Sequence, residues 1–198
     1  FGVFRKLRKR DGWAARWQSL MREPALPAPS RISCPLQQAP DWSRIRTSTE
    51  LGVGMDLKPL RQRGGESLAR DCLDSFLQQR GRHYRGEMSS PVTAFDSCSR
   101  LSAYLPHGCI SLREVFHRTS ARQEQLRGET DAPSGWLASL SSFQARLRWH
   151  SHFIQKLEDE PNIEFENMNR EFDGLREGAF DSDRFERWCR GETGYPMV

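Results

Sequence analysis

The sequence predicts an all-α fold with long irregular connections. Three observations carry this expectation. Apolar residues recur at helical spacing in several windows, no segment alternates apolar and polar over strand length, and Pro and Gly punctuate the stretches between the windows. The chain has 198 residues, enough for one domain with a sizeable core and a connector.

Taken in order, residues 12–21, GWAARWQSLM, read as a short helix with Trp13, Trp17 and Leu20 on one stripe. Residues 23–50 hold Pro24, Pro27, Pro29, Pro35 and Pro40, a spacing that neither helix nor strand survives. Residues 51–65 stay irregular, with Gly52, Gly54, Gly64 and Gly65. A helix starts near Glu66, carries Leu68, Cys72, Leu73, Phe76 and Leu77 on one face, and ends at Gly81. Residues 82–99 read as loop and 100–105 as a helical turn. Ser111-x-x-Glu114 is a capping box followed by Val115 and Phe116, so a helix covers about 112–120. A long helix spans about 134–158 through Leu137, Leu140, Phe143, Leu147, Ile154 and Leu157, and Pro161 stops it. A last helix fits 182–190, capped by Asp181 or Ser182 and stopped by Gly191.

Lys and Arg number 30 against 26 Asp and Glu, a net charge of +4. The distribution says more than the sum. Residues 1–30 hold seven basic side chains and two acidic ones, whereas residues 158–177 hold eight acidic and two basic. The plain account is two solvated surfaces; the basic end also suits a nucleic-acid partner. The chain lacks a run of about 18 apolar residues, which argues against a membrane span. Cys34, Cys72, Cys98, Cys109 and Cys189 are odd in number, scattered, and form no CxxC pair. A disulfide framework or zinc site is not expected, and a reducing, cytoplasmic location is. His150 and His152 sit two apart on a helix and face different ways, a poor metal pair.

The segment from Asp96 to Ser111, DSCSRLSAYLPHGCIS, sets Ser and Cys around a short apolar run. A Ser-rich loop feeding a helical turn offers hydroxyls and backbone N–H groups together, which suits phosphate; a capped helix start would use the same residues. On the 134–158 helix, Phe143, Arg146, Trp149 and Phe153 share a stripe. A core face would account for Phe143 and Phe153 but not for Arg146, which is rarely buried without a partner.

The string CSRLSAYLPHGCISLREVFHR resembles the flavin-cradling segment of the DNA photolyase/cryptochrome family. Further pieces agree in order: GVFRKLRKRDGWAARW, RGGESLARDCLDSFL, FENMNREF and ERWCRGETGYPMV. The resemblance implies a connector at 1–50 that follows a missing α/β antenna domain, and the N-terminal half of a helical FAD-binding domain at 51–198. The apolar ends FGVF and TGYPMV are read in the same sense, as cuts within a longer protein. Implied as FAD contacts are Ser99, Leu101 and Ser102 at the phosphates, Cys98 where many members have Thr, Tyr84 packing at the cofactor, and Phe143 near the flavin ring. Trp149 matches a Trp that packs on the pyrimidine dimer in DNA, and Arg146 stands where a dimer-repairing enzyme has Glu. A Trp common in the family before ERWCRGETGYP is absent from DGLREGAFDSD, and Trp188 matches a structural Trp of that motif.

The function so implied is blue-light-driven electron transfer from FAD for dimer repair. Two alternatives stand beside it: a cryptochrome-like photoreceptor without repair, and a cofactor-free helical DNA-binding module. The isolated chain is expected to be inactive, to hold FAD weakly or not at all, and to self-associate through apolar faces of the helices at 66–80 and 134–158.

Overall fold

The computed structural model describes residues 12–27, 29–31, 46–47, 49–53 and 61–195. The basic cluster Arg5, Lys6, Arg8, Lys9 and Arg10, most of the proline-rich connector, and Cys34 lie outside the described residues. Every regular element among the described residues is helical. None is long and apolar enough to cross a membrane.

The elements are α1 (Trp13–Arg22), α2 (Glu66–Gln78), a 3-10 turn (Arg80–His83), α3 (Tyr84–Glu87), α4 (Ala94–Ser97), a 3-10 turn (Leu101–Ala103), α5 (Leu112–Gly128), α6 (Trp136–Asp159), three 3-10 turns between Pro161 and Ala179, and α7 (Ser182–Arg190). The core lies where α2, α5 and the first half of α6 meet. Leu73, Phe76 and Leu77 of α2 pack there with Val115 and Leu126 of α5 and with Leu140, Phe143 and Leu147 of α6. These are the positions the 3.6-residue period assigns to one face. Helix α1 lies over α5 and α6. Trp17 meets Phe116 edge-on at 5.8 Å and donates its indole N–H to Ser151 Oγ at 3.0 Å. Met21, not Leu20, completes its inward face.

Three differences from the sequence reading have physical causes. Helix α5 runs to Gly128, well past 120. Its buried stripe is Val115, Phe116, Thr119, Gln123 and Leu126, and the two polar members hide the period. They are affordable inside because the Thr119 hydroxyl donates to Val115 O at 2.7 Å and Gln123 donates to Ser141 Oγ at 3.2 Å. Second, the expected loop at 82–99 holds two four-residue helices. Pieces so short are set by tertiary contacts, not by propensity. Third, the apolar face of α2 is covered at Leu73, Phe76 and Leu77, and Leu68 alone of its apolar positions is exposed. Exposure falls on the second half of α6 and beyond: Phe153, Ile154, Leu157, Phe165, Phe180 and Trp188 are all solvent-facing, Phe165 at 83%.

The signals at helix ends behave as read. Ser111 Oγ accepts from Glu114 N–H at 3.0 Å, although the Glu114 carboxylate turns to Arg70 instead of closing the box. Asp181 caps α7 through Arg184 N–H at 3.1 Å, and Gly191 ends it at φ 72°.

Gly81 is required by a close approach. A Cβ there would lie 2.7 Å from Phe76 O and 3.0 Å from the Phe76 ring. We expect Gly81→Ala to lower the free energy of unfolding by about 1–3 kcal/mol, the usual cost of overpacking. Urea denaturation checks this, and an unchanged midpoint would show that the turn relaxes freely.

Candidate functional site

The Ser-rich loop is held by one side chain. Arg80 stands two residues past the end of α2, and its guanidinium turns back under the loop. Its Nη1 donates to Cys98 O in a short contact and to Asp96 O at 3.5 Å. Its Nη2 donates to Cys72 O at 2.9 Å and Ser99 O at 3.4 Å, and its Nε donates to Ser75 Oγ at 3.0 Å. Two neighbours add to this. The Cys72 thiol donates to Ser99 O at 3.1 Å, and Gln62 Nε2 donates to Arg100 O at 3.0 Å.

The loop's acceptors are therefore drawn inward. In a trans peptide the carbonyl of one residue points opposite to the N–H of the next, and no peptide among the described residues is cis. With Cys98 O and Ser99 O on Arg80, the N–H groups of Ser99 and Arg100 point away from it. Neither N–H meets an acceptor among the described residues. Arg100 is the one non-Gly residue with positive φ among them, at 59°. Its side chain lies over the Phe95 ring at 4.1 Å. A left-handed residue after a run of ordinary ones splays successive N–H groups around a concavity that suits an anion. The strain at a non-Gly residue in this region is a further mark of a functional turn.

The site residues read from the sequence fall into three groups. Leu101 is buried and anchors the loop, while Ser99 is half-exposed and Ser102 exposed. The Ser99 hydroxyl accepts only a weak bond, 3.5 Å from Leu101 N, so its own O–H remains available; the Ser102 hydroxyl has no partner among the described residues. Cys98 is half-buried. Burial pushes its thiol pKa up, against a smaller downward pull from Arg80. It therefore stays a neutral thiol, a weak donor in place of a hydroxyl.

Tyr84 and Phe143 belong to one aromatic cluster. Both are buried, and their rings meet edge-on at 5.8 Å, with Phe76 at 5.6 Å from Tyr84 and 4.7 Å from Phe143. The Tyr84 hydroxyl pKa is raised, first by burial and then by Cys98, and Arg146 opposes this. Tyr84 thus links α2 to α6 through the Phe76 and Phe143 rings.

Along α6 the stripe climbs from the core to the surface. Phe143 is buried, Arg146 exposed, Trp149 half-buried and Phe153 exposed. Phe153 is not a core residue. Trp149 packs on His152 at 5.6 Å and Phe153 at 6.1 Å, and His152 meets Trp13 of α1 at 6.1 Å. Trp188 is also exposed and, among the described residues, stacks on Phe185 at 5.8 Å.

The residues in place suit an acceptor-rich ligand. Comparison with known proteins narrows the setting. Residues 143–198 match the family model of the FAD binding domain of DNA photolyase. The chain is 28% identical over 184 residues to a deoxyribodipyrimidine photo-lyase of Halobacterium salinarum, covering 92% of this chain and 37% of that protein. It is 30% identical to a cryptochrome DASH of Natronomonas pharaonis (78% and 32% covered) and 32% identical to cryptochrome-2 of Arabidopsis thaliana (68% and 21%). The chain belongs to the DNA photolyase/cryptochrome family.

It spans about a third of the length of the first two of these family members. No solved structure matches it. The family-model match begins at Phe143 and so covers the stripe on α6 but not the Ser-rich loop.

Sequence reasoning passed over Arg80. The available signal was an Arg in the last turn of the predicted helix, beside the Gly that stops it, where a side chain can fold back onto free carbonyls. We expect Arg80→Gln to lower unfolding free energy by about 2–3 kcal/mol, since it strands several half-buried carbonyls at once. Arg80→Lys should recover little, because an ammonium cannot fork between them. Denaturant titration of the two variants checks both; full rescue by Lys would mean that charge alone is needed.

Proposed function

We propose that the chain is the connector and the first half of the flavin domain of a longer photolyase-like protein. The parent would bind FAD and use blue light to repair pyrimidine dimers in DNA, which makes it a carbon–carbon lyase. The observation that carries this reading is the 98–102 loop, whose Cys98 and Ser99 carbonyls are committed to Arg80 while the Ser99 and Arg100 N–H groups and the Ser102 hydroxyl meet no acceptor among the described residues. Phosphate oxygens are acceptors only, so a diphosphate fits this loop as a neutral side chain would not. When bound, FAD would supply the light-driven electron for the damaged base, and the protein's part is to hold cofactor and flipped-out lesion in register.

Ser99 and Ser102 would hold the phosphates, with Leu101 as the loop's anchor and Cys98 as a weak donor. Tyr84 and Phe143 would support the flavin side from below. Trp149, half-buried and ringed by His152 and Phe153, would stack on the lesion. The isolated chain would keep little flavin, because contacts from the rest of the domain would be absent. We place the protein in the cytoplasm, in keeping with its scattered cysteines.

Arg146 favours a second reading, a cryptochrome-like photoreceptor. A carboxylate accepts hydrogen bonds from base N–H groups, whereas a guanidinium only donates. The exposed Arg146 offers phosphate or base acceptors a partner instead. A cofactor-free DNA-binding module would use the same cation but leave the loop's free donors without a ligand.

Three sets of substitutions in the full-length parent test these readings. We expect Ser99→Ala with Ser102→Ala to lose flavin during purification, at about 1.5–3 kcal/mol per hydrogen bond to a charged phosphate; unchanged flavin absorbance would reduce the loop to a capped turn. We expect Arg146→Glu to lower the salt dependence of single-stranded DNA binding by about 0.7 in slope while light-dependent dimer repair holds or improves. Trp149→Ala should weaken binding by about 1–3 kcal/mol. If Arg146→Glu abolishes an existing repair activity, the arginine itself serves the lesion, and the photoreceptor reading loses its support.

A further inference from the structure

On the far side of Tyr84 lies a cleft that the flavin loop does not use. It has a volume of about 600 Å³ and lies between the Arg80–His83 turn, α3 and the first turn of α6. The sequence RGRHYR explains its charge. Tyr84 turns into the core, so Arg82, His83 and Arg85 are left facing outward, and all three line the cleft.

These cations are positioned. Ser139 is buried on α6, and its hydroxyl donates to Arg82 O at 2.8 Å while accepting from Arg85 N–H at 3.3 Å. One hydroxyl thus ties the backbone of both arginines to the long helix. Neither Arg82 nor Arg85 forms an ion pair among the described residues. On neighbouring α2 and α5, Arg70, Arg118 and Arg122 all do. Glu87 is the single acid among the lining residues, and it pairs with neither arginine. The first turn of α6 carries no acid, so the positive end of that helix adds to the field.

We propose that this cleft is a second phosphate-binding site, which takes the backbone of the nucleic-acid strand read at Arg146 and Trp149. The inference rests on the proposed DNA-binding role and extends it. Arg146 lies seven residues beyond Ser139, two turns along the same side of α6 and about 10 Å away. One strand crosses that distance in about three nucleotides at B-form rise. The cleft would therefore hold the strand's register and leave base contact to the other end. Phosphate contacts carry position, not sequence.

The test uses the full chain, a fluorescein-labelled oligothymidylate and anisotropy across a chloride series. Arg82→Gln with Arg85→Gln should weaken binding about tenfold at low salt and reduce the salt slope by about 1.4, two phosphates at about 0.7 each. The pair of Lys substitutions at the same positions should retain the slope, and Glu87→Gln should tighten binding. Arg127→Gln with Arg187→Gln removes the same charge elsewhere and should leave most of the slope; an equal fall there would reduce the effect to net charge and overturn the site. Competition by inorganic phosphate beyond that of chloride at matched ionic strength would assign the cleft to free phosphate and overturn the strand. If Trp149→Ala weakens binding while the Arg82/Arg85 pair does not, the cleft is refuted and the flavin-face reading stands. The reverse pattern, loss at Arg82/Arg85 with none at Trp149, overturns the shared strand and removes DNA from the flavin face. No binding by the unsubstituted chain refutes the cleft, whereas flavin retention in the parent still stands or falls on Ser99 and Ser102.

Discussion

The arrangement depends on the Arg80 guanidinium. It takes carbonyls from α2, from the end of α4 and from two successive residues of the Ser-rich loop. Without a donor these half-buried acceptors would each carry a desolvation cost. A planar fork with five N–H groups can meet them together, and charge strengthens each bond. Three consequences follow from this geometry. The loop turns its amides outward, Tyr84 is carried into the core against Phe76 and Phe143, and Arg82 and Arg85 are left facing solvent. Gly81 makes the arrangement possible, because any Cβ there would strike the Phe76 carbonyl.

What the sequence disclosed and what it withheld divide along physical lines. Helices α6 and α7 were legible, because their signals are local: a sustained apolar period in one, and Asp181 with Gly191 in the other. The end of α5 was not, since Thr119 and Gln123 sit at inward positions and satisfy their polar atoms with partners that sequence cannot name. The turns at 84–87 and 94–97 are products of tertiary contact. The Ser-rich loop was legible as a phosphate candidate from composition and family resemblance. That its donors face outward follows only from Arg80, a side chain whose partners lie up to 19 residues away. Phe153 shows the opposite failure: it holds a stripe position on α6, but the stripe leaves the core before reaching it.

Burial is unequal along the chain. The core ends at Leu147, and beyond it Phe165, Phe172, Leu175, Phe180 and Trp188 face solvent. Yet α7 is capped at both ends. A nine-residue helix in water is marginal on its own, so local signals choose its conformation without supplying its stability. The family-model match lies over this arm, starting at Phe143. Exposed apolar side chains at this density suit contacts that the described residues do not provide.

A single chemical bias runs through the site. Ser99 and Arg100 offer N–H groups, Ser102 a free hydroxyl, and Arg146, Arg82 and Arg85 guanidinium groups. All seek acceptors. A glutamate at 146 would be the exception, able to read N–H donors on a base and so to discriminate by base chemistry. With arginine there, the face is matched to phosphate oxygens, which every nucleotide presents alike. Binding of the proposed strand through such a face would be governed by its charge and by salt more than by the identity of the lesion. Selectivity for damage would then fall to stacking at Trp149 and to how readily a distorted base leaves its duplex, a cost set by the DNA itself.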